Sequence, residues 1–450
     1  MAVHPLIRLR NSTGLSQRSY AQLIARTHAE LGHGQMAARR EKISRWESGR
    51  IAPDFSTQLA IARIHQVDEE VVLRLGWPNW LCAASGDQEF LRQPWTPEGS
   101  IAICRLTTIT PGHTRTGLIS TGPSLTTQIR GAIASLSGNS RPLEREGCPI
   151  TPGTLAWTES RIRALEALEA GSPVSQYALH VSARTEHQLI SDLLNGYGYD
   201  RATGARLLRL AARTASLCTW TSYVLGEEAQ TERYNLAAVR AASAAGAPHH
   251  TAAYLMQLCF RHLHLGHPRD VLSLLGAARE VASRPTARMT VLRHTHEALA
   301  LARLSDPTAS LRALQRAEHA LGATAPQWDA EADPTGSSIN EDYLAFSTAH
   351  TWLLLGKPAR ALSVFTGLPD DDASPYAAID RCLVVEAQLA AGQLEESAAT
   401  VRGVVERTGC LPPGLAERFQ DLLAPHADQP HVRDALDCLT ERSAAQRTIG

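Results

Sequence analysis

At 450 residues the chain favours two or three domains, and 44 Lys/Arg against 45 Asp/Glu leave it nearly neutral. Global charge therefore marks no nucleic-acid, membrane or acidic partner. The eight cysteines are scattered with no Cys-x-x-Cys pair, against a zinc framework or a disulfide scaffold. No charged-then-apolar leader opens the chain and no run of 18 apolar residues occurs, so a soluble, cytoplasmic protein without a membrane span is expected.

Charge is unevenly placed. Residues 1–50 carry nine Lys/Arg against three Glu, a local balance of +6 and the footprint of a basic module on a neutral body. In chain order, Leu9 to Gln17 reads as a first helix, a turn at Gly14, and a second helix opened by Ser16. The stretch 38–49 predicts a basic helix. Ile43 and Trp46, three apart, share its packed face, while Arg40, Glu41, Ser44 and Arg45 project elsewhere. Gly49 stands where a left-handed cap ends a helix, and Pro53 follows. Asp54 and Asp68 open two further helices carrying Leu59, Ala62 and Ile64, then Val71, Val72 and Leu75. Five short helices fit before residue 76.

Gly14-Leu15-Ser16-Gln17, followed by Ile43-Ser44-Arg45-Trp46-Glu47-Ser48-Gly49-Arg50 and Pro53, resembles the Cro/cI-type (lambda-repressor-like) helix-turn-helix family over residues 4–76. The resemblance implies a transcriptional regulator on double-stranded DNA whose third helix enters the major groove. Carried over position by position, it implies base contacts by Arg40, Glu41 and Arg45, and backbone contacts by Gln17, Arg39, Lys42, Ser44 and Arg50. Arginine can grip a guanine edge with two hydrogen bonds and glutamate can accept from a cytosine amino group. From Gly14 to Glu47 there are 33 positions, longer than the compact family pattern, the surplus lying at 29–37. A longer second helix with a looser turn would absorb it. Similar extensions, and an Arg-rich composition with Lys42 and Lys357 as the only lysines, resemble actinobacterial regulators of this type.

Residues 77–100 hold three Trp and three Pro and read as a folded connector. The Thr/Gly-rich 105–124 is the expected hinge, 137–152 a second break, and 126–136 a short helix between them. From 153 onward apolar residues recur at helical spacing, with no convincing strand. Turns at Leu225-Gly226, Leu265-Gly266, Ser305-Asp306, Leu355-Gly356 and Ala391-Gly392 each close one helix and open another. Twelve residues beyond the first three of these stand Ala238, Ala278 and Ala317, small enough for paired helices to touch. This self-similarity resembles a degenerate tetratricopeptide-repeat array.

The expected fold is therefore all-α: a DNA-binding domain over 1–80, a connector over 81–152, and an α-solenoid of helical hairpins over 153–445. A concave face on such an array suits a peptide or small-molecule effector, with Trp220, Tyr223, Tyr254, His262, His294, Tyr343, His350 and Trp352 as candidate groove residues or as repeat-to-repeat packing. His262/His264 and His294/His296, two apart, point in different directions on a helix, and no carboxylate is expected to complete a site, so no metal or other cofactor is expected. The acidic run 370–372 reads as a solvated turn. No catalytic motif occurs, and a non-enzymatic regulator, homodimeric on an inverted repeat, is the expectation. A repeat-domain adaptor without regulatory DNA binding is the alternative.

Overall fold

In the computed structural model, which describes residues 4–109, 118–137, 143–171, 176–324, 334–336, 338–368, 377–408 and 411–447, the protein is all-helical. Among the described residues there is no β-sheet; two isolated bridges join Arg145 to Tyr199 and Pro149 to Gly198. No helix among them is long and apolar enough to cross a membrane.

The first helices are α1 (Pro5–Ser12), α2 (Gln17–Glu30), α3 (Arg40–Glu47), α4 (Phe55–Ile64) and α5 (Glu69–Leu75). The Ser16 hydroxyl accepts from the Ser19 amide at 3.1 Å and the Asp54 carboxylate from the Thr57 amide at 2.8 Å, satisfying amides that the first turns leave unpaired. Leu6, Leu9, Tyr20, Ile24, Ile43, Trp46, Ile61, Val71 and Val72 form one core, sealed by Trp80, Leu81 and Ala84. Those last three belong to α6 (Asn79–Arg92). The other end of that helix enters a second core, through Phe90 and Leu91. One continuous helix thus joins the N-terminal head to the body.

The body begins with α7 (Pro97–Ile109), α8 (Gly122–Ser137), α9 (Pro152–Gly171) and α10 (Gln176–Gly196). The helix expected at 126–136 is thus longer at its N-terminal end. Of the expected hinge at 105–124, residues 105–109 finish α7, residues 110–117 lie outside the described residues, and residues 118–120 are buried. The buried Glu232 carboxylate accepts from the Ile119 amide and, at 3.0 and 2.7 Å, from the amide and hydroxyl of Ser120. Helices α7 and α8 both pack on the body, so the joint with the head lies at α6 instead.

The remaining helices are α11 (Arg201–Val224), α12 (Glu228–Ala244), α13 (Pro248–Leu265), α14 (Pro268–Val281), α15 (Ala287–Arg303), α16 (Pro307–Leu321), α17 (Glu341–Leu354), α18 (Pro358–Phe365), α19 (Ala377–Ala390), α20 (Leu394–Thr408), α21 (Pro413–Leu423) and α22 (Pro430–Arg447). The first ten pack as successive pairs, and the five sequence-aligned turns fall between the members of each pair. Gly226, Gly356 and Gly392 take positive φ there, and Ser305 takes the same conformation at φ 60° without being glycine. Residues 325–333 and 337, between α16 and α17, and all of the acidic run 370–372 lie outside the described residues.

The array closes on itself. A Cβ on Gly226, in the turn after α11, would stand 2.4 Å from the Cα of Gly414 in α21, so the two backbones touch where no side chain fits. Beside this contact Arg418 of α21 donates from Nη1 to the Tyr223 hydroxyl at 2.7 Å.

Candidate nucleic-acid interface

Helix α3 starts at Arg40, two residues later than the expected 38, because the loop before it is held in place. His28 meets the Gly34 carbonyl through Nδ1 at 2.9 Å and the Ser56 hydroxyl through Nε2 at 3.1 Å, and Met36 packs on the head core. Arg39 becomes the N-cap residue, outside the helix. At the other end Gly49 at φ 69° closes the helix, its amide donating to the Trp46 carbonyl at 3.0 Å.

Three residues of α3 face inward: Ile43, Trp46 and Glu47. The first two fill the core. Glu47 is a buried carboxylate that accepts from Arg10 Nε at 2.5 Å and Gln17 Nε2 at 2.6 Å, tying α1, α2 and α3 together. Arg10 also donates to the Leu15 carbonyl at 3.0 Å. Gln17, expected on the DNA backbone, accepts in turn from Arg40 Nε at 3.2 Å. Arg40 is thereby positioned by a chain that ends in Glu47.

Arg39, Arg40, Glu41, Ser44, Arg45 and Arg50 are exposed and Lys42 is half-buried. Five of these seven are cationic, so α3 and its flanks present a predominantly basic surface above an apolar floor. An anionic backbone is attracted by such a face, and the protruding guanidinium groups have the reach and planar donors for base edges. Glu47 supports this surface without belonging to it. Glu47→Ala is expected to cost about 2–3 kcal/mol, below the range for a wholly buried pair because Arg10 keeps some solvent contact. Urea denaturation followed by the head's amide exchange measures it; a loss under about 0.5 kcal/mol would refute the anchoring role.

The expected groove residues divide. Trp220 and Tyr223 pack on Phe260 at 5.6 and 5.1 Å between ring centres, and His350 stacks on the exposed His264 at 6.0 Å. Tyr343 bonds the Thr295 hydroxyl at 3.2 Å and reaches His296 at 3.4 Å. His294 meets Glu297 at 2.8 Å, with Arg316 also on that carboxylate at 3.1 Å. This corrects the expectation that no carboxylate stands at helical spacing from these histidines: Glu297 is three residues on. Tyr254 and His262 are buried packing residues, and Trp352 lies under the Arg360 guanidinium at 4.8 Å. Among the described residues no group of three or more His, Cys, Asp or Glu is arranged to hold a metal ion.

Sequence reasoning missed Glu47 as an anchor, since it had no reason to point inward except the position of Arg10, 37 residues away. It also missed Arg418, which reaches Tyr223 only because α21 packs against the turn after α11. Comparison with family models, curated proteins and solved structures returns no match to this chain.

Proposed function

We propose that the protein is a sequence-specific DNA-binding transcriptional regulator. In this reading residues 1–80 form a lambda-repressor-like helix-turn-helix domain, and residues 153–445 a tetratricopeptide-like array that mediates dimerisation and senses a peptide or small-molecule signal. The observation that carries it is the basic exposed face of α3, held over a buried floor by the Glu47 anchor. One short helix offers few base contacts. Two heads related by a twofold axis double them, so the protein acts as a homodimer on an inverted repeat of double-stranded DNA. It works in the cytoplasm and catalyses no reaction. A signal in the array moves the heads through α6, because that helix shares both cores.

Selection from a duplex library with the full-length protein tests the reading. The wild type recovers an inverted-repeat motif and the Arg40→Ala/Arg45→Ala double variant does not. Salt-sensitive binding without a motif would move the weight to the adaptor alternative. Within the motif, Arg45→Ala is expected to cost about 1–3 kcal/mol and relax one base position, whereas Lys42→Ala weakens all sequences alike and lowers the salt slope by about one. A motif unchanged by Arg45→Ala would remove that residue from the base contacts.

A further inference from the structure

Head and body together line a cavity of about 440 Å³, with Arg63, Gln66 and Val67 on the head side and Leu118, Thr121 and Leu265 on the body side. Local structure sets both walls. Helix α4 ends at Ile64, the His65 ring turns inward to the Tyr20 hydroxyl at 2.8 Å, and Gln66 takes a left-handed φ of 54°, uncommon for a residue with a Cβ. That turn leaves Arg63 and Gln66 exposed while Val67 packs in the head core. On the body side the Glu232 carboxylate holds Ile119 and Ser120, and the Gly122 amide donates to the Asp270 carboxylate at 3.2 Å. Leu118 and Thr121 flank this fixed segment. Leu265, the last residue of α13, is 47% exposed, a large apolar side chain left bare at the wall.

The Arg63 guanidinium, the Gln66 amide and the Thr121 hydroxyl make no hydrogen bond or ion pair among the described residues. All three can donate, and together they match a carboxylate, whose two oxygens offer about four acceptor sites. Asp68, the N-cap residue of α5, puts a carboxylate of its own on the same wall. It repels a second negative charge on an occupant, so a singly charged head group fits better than a dianion. Val67, Leu118 and Leu265 supply apolar area beside these polar groups. The volume falls in the range of roughly 300–1,000 Å³ usual for small-molecule sites, which is room for a chain as well as a charge.

We propose that this cavity binds a monocarboxylate with an apolar chain of medium length. Its carboxylate meets Arg63, Gln66 and Thr121, and its chain lies on Val67, Leu118 and Leu265. Covering Leu265 removes apolar area from water, while the charge fixes the orientation. The occupant touches head and body at once, so it ties them together independently of α6. This goes beyond the proposed function, which places signal recognition in the array, and binding here needs no DNA.

Calorimetric titration of the full-length protein tests the site with four probes: octanoate, octanamide, acetate and inorganic phosphate. Octanoate is expected to bind at least about tenfold more tightly than each of the others, which lack the charge, the chain, or the chain together with the single charge. Arg63→Gln, on the head, is expected to weaken octanoate by about tenfold or more and to erase its advantage over octanamide. Leu265→Ser, on the body, is expected to weaken it by about three- to tenfold. Both side chains are exposed, and circular dichroism should show the fold intact. The surface variant Arg360→Gln leaves octanoate binding unchanged. Octanoate should also slow hydrogen exchange together in the peptides that contain Gln66 and Thr121. No binding by any probe, octanamide or phosphate binding as tightly as octanoate, or a loss confined to the variant on one wall would each overturn the proposal.

Discussion

Acidification from about pH 7 to pH 5 is expected to destabilise the helical body steeply. His180, His187, His250, His262, His296 and His350 are each held neutral by burial, with pKa values lowered to about 4 from an ordinary 6.5. Between those values the unfolded chain binds more protons than the folded one. The stability these groups contribute is full above 6.5 and is lost as pH falls toward 4, each group adding a slope of up to about 1.4 kcal/mol per pH unit. His187 shows the cause. Its ring is fully buried, with Nδ1 2.9 Å from the Thr214 hydroxyl and Nε2 2.9 Å from the Thr107 hydroxyl, one nitrogen donating and the other accepting.

Three carboxyls oppose the trend. Glu169, Glu232 and Asp380 are pushed up to about 7 by burial, so they favour the folded state below their ordinary pKa and lose that contribution as pH rises through 7. Six histidines outweigh three acids, and the net profile falls on the acid side. Thermal unfolding midpoints should be nearly level from about pH 7 to 8 and drop sharply below about 6.5, with a shallower drop in His187→Gln. A level profile down to pH 5 would sink this account of the buried histidines.

Local signals in the sequence were legible where local physics decides. The Ser16 and Asp54 caps, the Ile43/Trp46 face and the Gly49 stop depend on residues within a turn or two, and the structure places each as the spacing indicates. The candidate base-reading residues are exposed for the same reason. What escaped was set by distant partners. Arg418 lies 195 residues from Tyr223, and nothing in either neighbourhood announces the contact. The joint at α6 was legible only in part: the Trp- and Pro-rich 77–100 reads as a folded connector, but nothing in it announces one helix shared by two cores. Only the two cores reveal one helix with Trp80 and Leu81 in the head and Phe90 in the body. The start of α3 moved from 38 to 40 because His28 and Met36 hold the preceding loop, a tertiary effect that helix propensity does not carry.

Asp87→Ala is expected to cost about 3–5 kcal/mol, because it leaves the buried Arg233 guanidinium without its carboxylate. Asp87 of α6 and Arg233 of α12 are 3–4% exposed and bonded through both Nε and Nη2 of the arginine. Seven residues on, along the same face of α12, Arg240 donates to the Gln93 and Pro94 carbonyls at 2.9 and 3.2 Å and lies 4.1 Å over the Trp95 ring. Burial lowers Arg240 only to about 10, so it stays charged at neutral pH and fastens the chain just beyond α6. Two cations on one helix thus clamp the C-terminal half of α6 to the body, while its N-terminal half seals the head. Losing the first clamp should loosen the body and free the head to reorient. Urea denaturation should show the large loss, and hydrogen exchange should rise in peptides covering 79–109 and 228–244 before it rises in α3. Replacing both partners, Asp87→Leu with Arg233→Met, should recover most of the stability, since no buried charge is then left alone. A loss below about 1 kcal/mol for Asp87→Ala, or exchange unchanged in those two segments, would mean that the head is held to the body by something other than this pair.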